Sequence, residues 1–94
     1  MINETEKKDL ASRLKKIEGQ IRGIFKMVDD RRYCIDILSQ TRAAAAAIAK
    51  VENIIMKSHL ETCVTESMRS DNREDRENKI EEIMDMLSKF RKIG

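Results

Sequence analysis

From Arg32 to Met68 the chain runs RYCIDILSQTRAAAAAIAKVENIIMKSHLETCVTESM, with no proline or glycine to interrupt it. Five consecutive alanines, Ala43 to Ala47, sit in its middle, and alanine is the strongest helix former. Nothing in the stretch breaks a helix, so it reads as one segment over about 32–69. Ile35, Leu38, Ala45, Ile48, Ile55 and Thr62 mark roughly one face. A helix of about 50 Å, at ~1.5 Å per residue, has no core of its own to wrap and predicts sharing with other chains. The alanine run carries no chemistry; it reads as a packing feature that lets helices approach closely.

The segments on either side agree. Leu10, Leu14, Ile17, Ile21, Ile24 and Val28 step by fours and threes, the stripe of an amphipathic helix over about 5–28. Asp29, Asp30, Arg31 and Arg32 read as a short connection, with Asp29 or Asp30 placed to cap the long segment. Ser70, Asp71 and Asn72 end that segment. A third helix, about 74–92, carries Ile80, Ile83, Met84, Leu87 and Phe90.

Composition supports the same class. The 94 residues make one domain, with no room for a second. There is no proline or tryptophan and there are three glycines, too few turn residues for a sandwich or barrel. Charge at 38% and aromatics at 3% would suit disorder, but the 40% apolar residues are regularly spaced. No apolar run is long enough to span a membrane, and no secretory signal is read. Two cysteines then suggest free thiols in a reducing cytoplasm. Three single-striped helices cannot bury a large core alone, which predicts an all-α chain in an antiparallel four-helix-bundle dimer assembling to a tetramer.

The net charge of +2 is less informative than its distribution. Lys/Arg exceed Asp/Glu by three up to Arg32, balance to Cys63, and fall one short thereafter. Arg13, Lys15, Lys16, Arg22 and Lys26 form the dense basic run, opposed by Glu18. Such a run is either a solvated helix face or a surface that neutralises phosphates.

His59 and Cys63 are four apart, so a helix sets them one turn apart on one face, within reach of one ion. Cys34 lies 29 residues before Cys63, ~43 Å along a continuous helix. One subunit cannot join all three at a metal; two antiparallel helices bring Cys34 to His59 and Cys63 of a partner, twice per dimer. Such a pair is also consistent with a buried thiol acting as a small hydrophobe. Two thiolates and one imidazole form a soft, low-coordinate set that suits Cu(I); structural zinc usually takes four ligands. No phosphate-cradling glycine loop or metalloprotease motif is present, and so few aromatics leave little from which to build a substrate pocket. The chain reads as no enzyme.

Arg13-Leu-Lys-Lys-Ile-Glu-Gly-Gln-Ile-Arg-Gly23, Arg32-Tyr-Cys-Ile-Asp-Ile-Leu-Ser-Gln40 and His59-Leu-Glu-Thr-Cys63 together resemble the bacterial copper-sensitive operon repressor family (CsoR/RcnR). The resemblance covers about Leu10 to Leu87. It implies an all-helical dimer or tetramer that binds operator DNA without a helix-turn-helix and leaves it when an inducer binds. Cys34, His59 and Cys63 match the members that sense Cu(I), and Tyr33 and Glu82 fall where those members have an outer shell around the metal. The nickel and cobalt sensors add an N-terminal histidine that this chain lacks, although some nickel sensors share the Cys, His, Cys set. The formaldehyde sensors carry proline where this chain has Ile2. The persulfide sensors keep both cysteines without the histidine. The resemblance also carries DNA contact to Arg13 and Lys50; Lys15, Lys16 and Arg22 are added by the charge count alone. The alternatives that remain are the same fold sensing persulfide through Cys34 and Cys63, a nickel sensor, and a copper buffer or chaperone that needs no basic helix.

Overall fold

The structure is a computed structural model that describes residues 2–69 and 71–90. It contains α1 (Glu4–Asp29), α2 (Cys34–Arg69) and α3 (Arg73–Phe90). The three helices expected from the sequence are present; the expected end of the third, at 92, lies outside the described residues. Two compact units divide the chain. One is Asn3–Ile54 and the other begins at Ile55.

In the first unit, α1 starts one residue earlier than its apolar stripe implies, because Asn3 caps it. The Glu6 N–H donates to Asn3 Oδ1 at 2.8 Å, and the Asn3 N–H donates to Glu6 Oε1 at 3.2 Å. This reciprocal pair satisfies two amides at the helix start. The other end closes differently from expectation. Asp30 caps the C-terminus of α1, not the N-terminus of α2. The Arg32 N–H donates to Met27 O at 2.9 Å and the Arg31 N–H to Val28 O at 3.1 Å. Arg31 takes φ 55°, the left-handed position of a Schellman turn that glycine usually fills. The Tyr33 carbonyl then accepts from the Asp36 and Ile37 amides and starts α2.

The core of this unit is Leu10, Ile17 and Val51, with Ala47 and Ile54 packed against it. Each large side chain contributes about 1.5–3 kcal/mol on burial, so the core is small. The inward face of α1 is rotated from the expected stripe. Leu10 and Ile17 are buried and Ile24 is half-buried, but Leu14, Ile21 and Val28 are exposed together with Phe25. Arg13, Gln20 and Met27 are half-buried in their place. On α2 the buried alanine is Ala44, not Ala45, and Ile35, Leu38, Ile48 and Ile55 face outward. The physical reason is that one partner helix covers only part of each amphipathic surface.

In the second unit, Asn72 caps α3 by accepting the Glu74 N–H at 2.9 Å on Oδ1. Ser58 and Cys63 are the buried residues of α2 here. No described residue of α3 is buried. Lys79, Ile83 and Met86 are its half-buried residues, spaced by four and three. The expected Ile80, Met84, Leu87 and Phe90 are exposed. No helix among the described residues is long and apolar enough to cross a membrane.

Candidate metal centre

The unbroken α2 backbone sets His59 above Cys63 by one turn, and α3 supplies a third group. His59 Nε2 is 3.3 Å from Cys63 Sγ and 3.2 Å from Glu82 Oε1. One ligand atom from each of His59, Cys63 and Glu82 lies within 4.8 Å of the others, with Cys63 buried, His59 half-buried and Glu82 exposed. Glu82 reaches the imidazole across 23 residues of sequence, which fixes the ring between a thiol and a carboxylate.

Lys79 completes the arrangement. Its Nζ is 3.2 Å from Glu66 Oε2 and 3.9 Å from Glu82 Oε2. The hydrogen bond to Glu66, then the charges of Glu66 and Glu82, push the Lys79 ammonium above its ordinary range. Burial is the main cause that raises the Cys63 thiol; the negative Glu82 raises it further, Lys79 opposes, and Glu66 adds a smaller increase. The buried sulfur therefore holds its proton until something exchanges for it. Lys79 and Glu66 carried no signal in the sequence: neither is a ligand type that spacing isolates, and their pairing exists only because α3 packs on α2.

The donors fit a soft ion. A thiolate at ~2.3 Å and an imidazole nitrogen at ~2.0 Å from one metal stand ~3.7 Å apart in trigonal geometry, a few tenths of an ångström more than the 3.3 Å observed. Sulfur and imidazole suit Cu(I), whereas a carboxylate is a hard ligand. Glu82 meets the same ring nitrogen, Nε2, that faces Cys63, so it would act as the outer partner that orients the ring and raises its basicity with the ion on the other nitrogen, Nδ1. Cys34 is exposed and opens α2; it does not belong to the cluster. Tyr33 immediately before it is exposed, at 69%. Both lie in the Asn3–Ile54 unit.

Residues 6–89 match the family model described as metal-sensitive transcriptional repressor. The chain belongs to this repressor family. Its members are regulators of transcription, not enzymes. The copper-sensing transcriptional repressor CsoR of Bacillus subtilis is 42% identical over 87 residues, 93% of this chain and 83% of that protein. RicR of Mycobacterium tuberculosis, also a copper-sensing transcriptional repressor, is 42% identical over 65 residues, 68% of each chain. The crystal structure of the copper-sensing repressor CsoR with Cu(I) from Geobacillus thermodenitrificans superposes with a TM-score of 0.79 at 40% identity, covering 94% of this chain and 88% of that one.

The repressor's basic residues divide between two faces of α1. Arg13 and Lys16 line one cleft with Asp9, Ser12, Ile17, Gln20 and Ala47. Lys50 is exposed, three residues beyond Ala47 on α2. Within that cleft, Gln20 Oε1 is buried without a hydrogen-bond partner. Lys15 and Arg22, seven apart, fall on the other side of the helix. The basic run therefore does not form one stripe within a chain. Arg13 Nε is 3.1 Å from Asp9 Oδ1, and Arg22 Nη1 is 2.9 Å from Glu18 Oε1. Exposed pairs of this kind hold by about 0.3–0.5 kcal/mol, a small cost for turning either guanidinium toward a phosphate.

Proposed function

We propose that this chain is a Cu(I)-responsive repressor that acts as one metal-sensing, DNA-binding domain in the cytoplasm. It works as a homodimer or homotetramer, holds operator DNA in the apo form, and releases it when Cu(I) binds between subunits. The ligands are Cys34 of one chain and His59 and Cys63 of another, with Tyr33 and Glu82 around them. The observation that carries this reading is the His59–Cys63 pair, 3.3 Å apart and oriented by Glu82, on a helix whose other thiol is 29 residues away. The relatives' copper-sensing role and the outward apolar rows on all three helices support it. Bound Cu(I) would supply one positive centre shared by thiolates of two subunits. Cys63 would give up its proton to become a ligand, His59 would supply an imidazole nitrogen, and Glu82 would hold the ring through Nε2. Arg13, Lys16 and Lys50 face the phosphates on one side, with Lys15 and Arg22 on the other. A ligand that favours the weak DNA-binding state lowers DNA affinity by the factor that DNA lowers its own.

The test is operator binding by apo protein and by protein with Cu(I), Ni(II) or polysulfide, joined to a mixing experiment. A Cys34→Ala chain is combined with a His59→Ala/Cys63→Ala chain. Tight Cu(I) binding is expected only in the mixture, at one ion per heterodimer, with partial recovery of release. Tight binding by either variant alone would refute the intersubunit site. Release by polysulfide or Ni(II), but not by Cu(I), would refute copper as the inducer.

A further inference from the structure

The residues that hold α3 against the metal centre include a cation that no ligand set requires. Lys79 Nζ stands 3.2 Å from Glu66 Oε2 and 3.9 Å from Glu82 Oε2. The other Glu82 oxygen is 3.2 Å from His59 Nε2. Both oxygens of Glu82 are therefore engaged, one by the imidazole and one by the ammonium.

The pocket holds a third potential donor beside the imidazole and the thiol. An imidazole nitrogen, a sulfur and a carboxylate oxygen lie within 4.8 Å of one another in a single chain. Nitrogen, sulfur and oxygen together make a set that Zn(II), Co(II) and Ni(II) accept, whereas Cu(I) makes little use of the oxygen. Glu82 is thus the group on which selectivity turns. It serves the imidazole as an orienting partner, but it would serve a divalent ion as a ligand.

We propose that Lys79 is a specificity-determining residue, whose ammonium weakens the Glu82 carboxylate as a metal ligand and so biases the centre toward soft, monovalent ions. The inference deepens the copper-sensing reading and rests on His59 and Cys63 as ligands. Two effects act together. The ammonium draws on the Glu82 carboxylate through Oε2, 3.9 Å away, which weakens Oε1 as a donor to an ion. It also sets a positive charge near the ion. A unit charge about 6 Å from a divalent ion changes its affinity about tenfold even in a water-like dielectric, and that of a monovalent ion about threefold. Glu66 holds Lys79 in place from the α2 side, three residues beyond Cys63. Because Lys79 is only 37% exposed, its ion pairs persist better than those of a freely solvated lysine.

The test measures Co(II) affinity and its thiolate charge-transfer absorption in the full-length protein, with Cu(I) affinity measured separately by competition with a chelator. Lys79→Met, and Lys79→Gln as a second neutral variant that keeps a polar side chain, are expected to bind Co(II) at least about tenfold more tightly than the parent. Lys79→Arg should match the parent, because it keeps the charge. Adding Glu82→Gln to Lys79→Met should cut the gain, leaving at most the part due to the lost ammonium charge. Glu66→Gln loosens Lys79 but keeps its ammonium in the pocket, so its gain should be smaller than that of the neutral variants. Helical circular dichroism confirms that each variant is folded. Unchanged Co(II) affinity in both neutral variants, a gain undiminished by Glu82→Gln, or an equal gain in Glu66→Gln would overturn the proposal and leave Lys79 a helix-docking residue. The parent's Cu(I) affinity judges the copper reading by itself: its absence would refute that reading while the Co(II) series still decides the role of Lys79.

Discussion

In the proposed site, burial of Cys63 makes metal binding a proton-exchange reaction of calculable size. The thiol sits 2% exposed. Desolvation first, then the charges of Glu82 and Glu66, hold it above its ordinary value against the opposing Lys79. Between about pH 8 and pH 6 it is therefore protonated in the apo protein, and the ligand it supplies must be a thiolate. Each pH unit then costs about tenfold in Cu(I) affinity through this one group, or about 2.7 kcal/mol over the two units. The folded state also favours the protonated thiol over the unfolded chain. Its stabilising contribution is thus present below the unfolded pKa and is lost as pH rises through the higher folded one. The assay is anaerobic competition with a Cu(I) chelator across this range, together with proton release in weak buffer, for the parent and for Cys63→Ala. The parent's plot of log affinity against pH should be steeper by about one. Equal slopes, or no difference in proton release, would mean that Cys63 is already a thiolate in the apo protein, and the argument from burial would fail.

The same geometry yields two further outcomes. Arg13→Ala or Lys50→Ala should weaken operator binding, reduce the salt slope by about one for each phosphate no longer neutralised, and leave Cu(I) affinity unchanged; unchanged operator affinity in both would place the footprint elsewhere. Arg31→Gly should raise stability by up to about 1 kcal/mol in a thermal or urea melt, because glycine takes φ 55° without the steric cost of a side chain.

Local chemistry was enough to read the helices. An unbroken run through the alanines, two short polar connections and the three apolar rows each specify a helix within a few residues, because helix formation depends on neighbours three and four positions away. The same periodicity set His59 and Cys63 on one face, and the mismatch between a long helix and a short metal–ligand bond is what leads to the proposal that Cys34 serves a different subunit's site. The donor types narrowed the ion, and three motifs pointed to the family. Which side of each helix faces inward was not legible. Leu14, Ile21, Ile80 and Met84 are as apolar as the residues that are covered, and only packing shows that they stay outside. Likewise Asp30 closes α1 and not α2, because capping depends on the path of the backbone and not on the residue type alone. The Glu66–Lys79–Glu82–His59 chain of interactions needs α3 laid against α2 before any of its charges can meet. Sequence spacing determines what lies along one helix. Contacts between helices depend on how each apolar surface finds cover, and that is settled only when the chain folds.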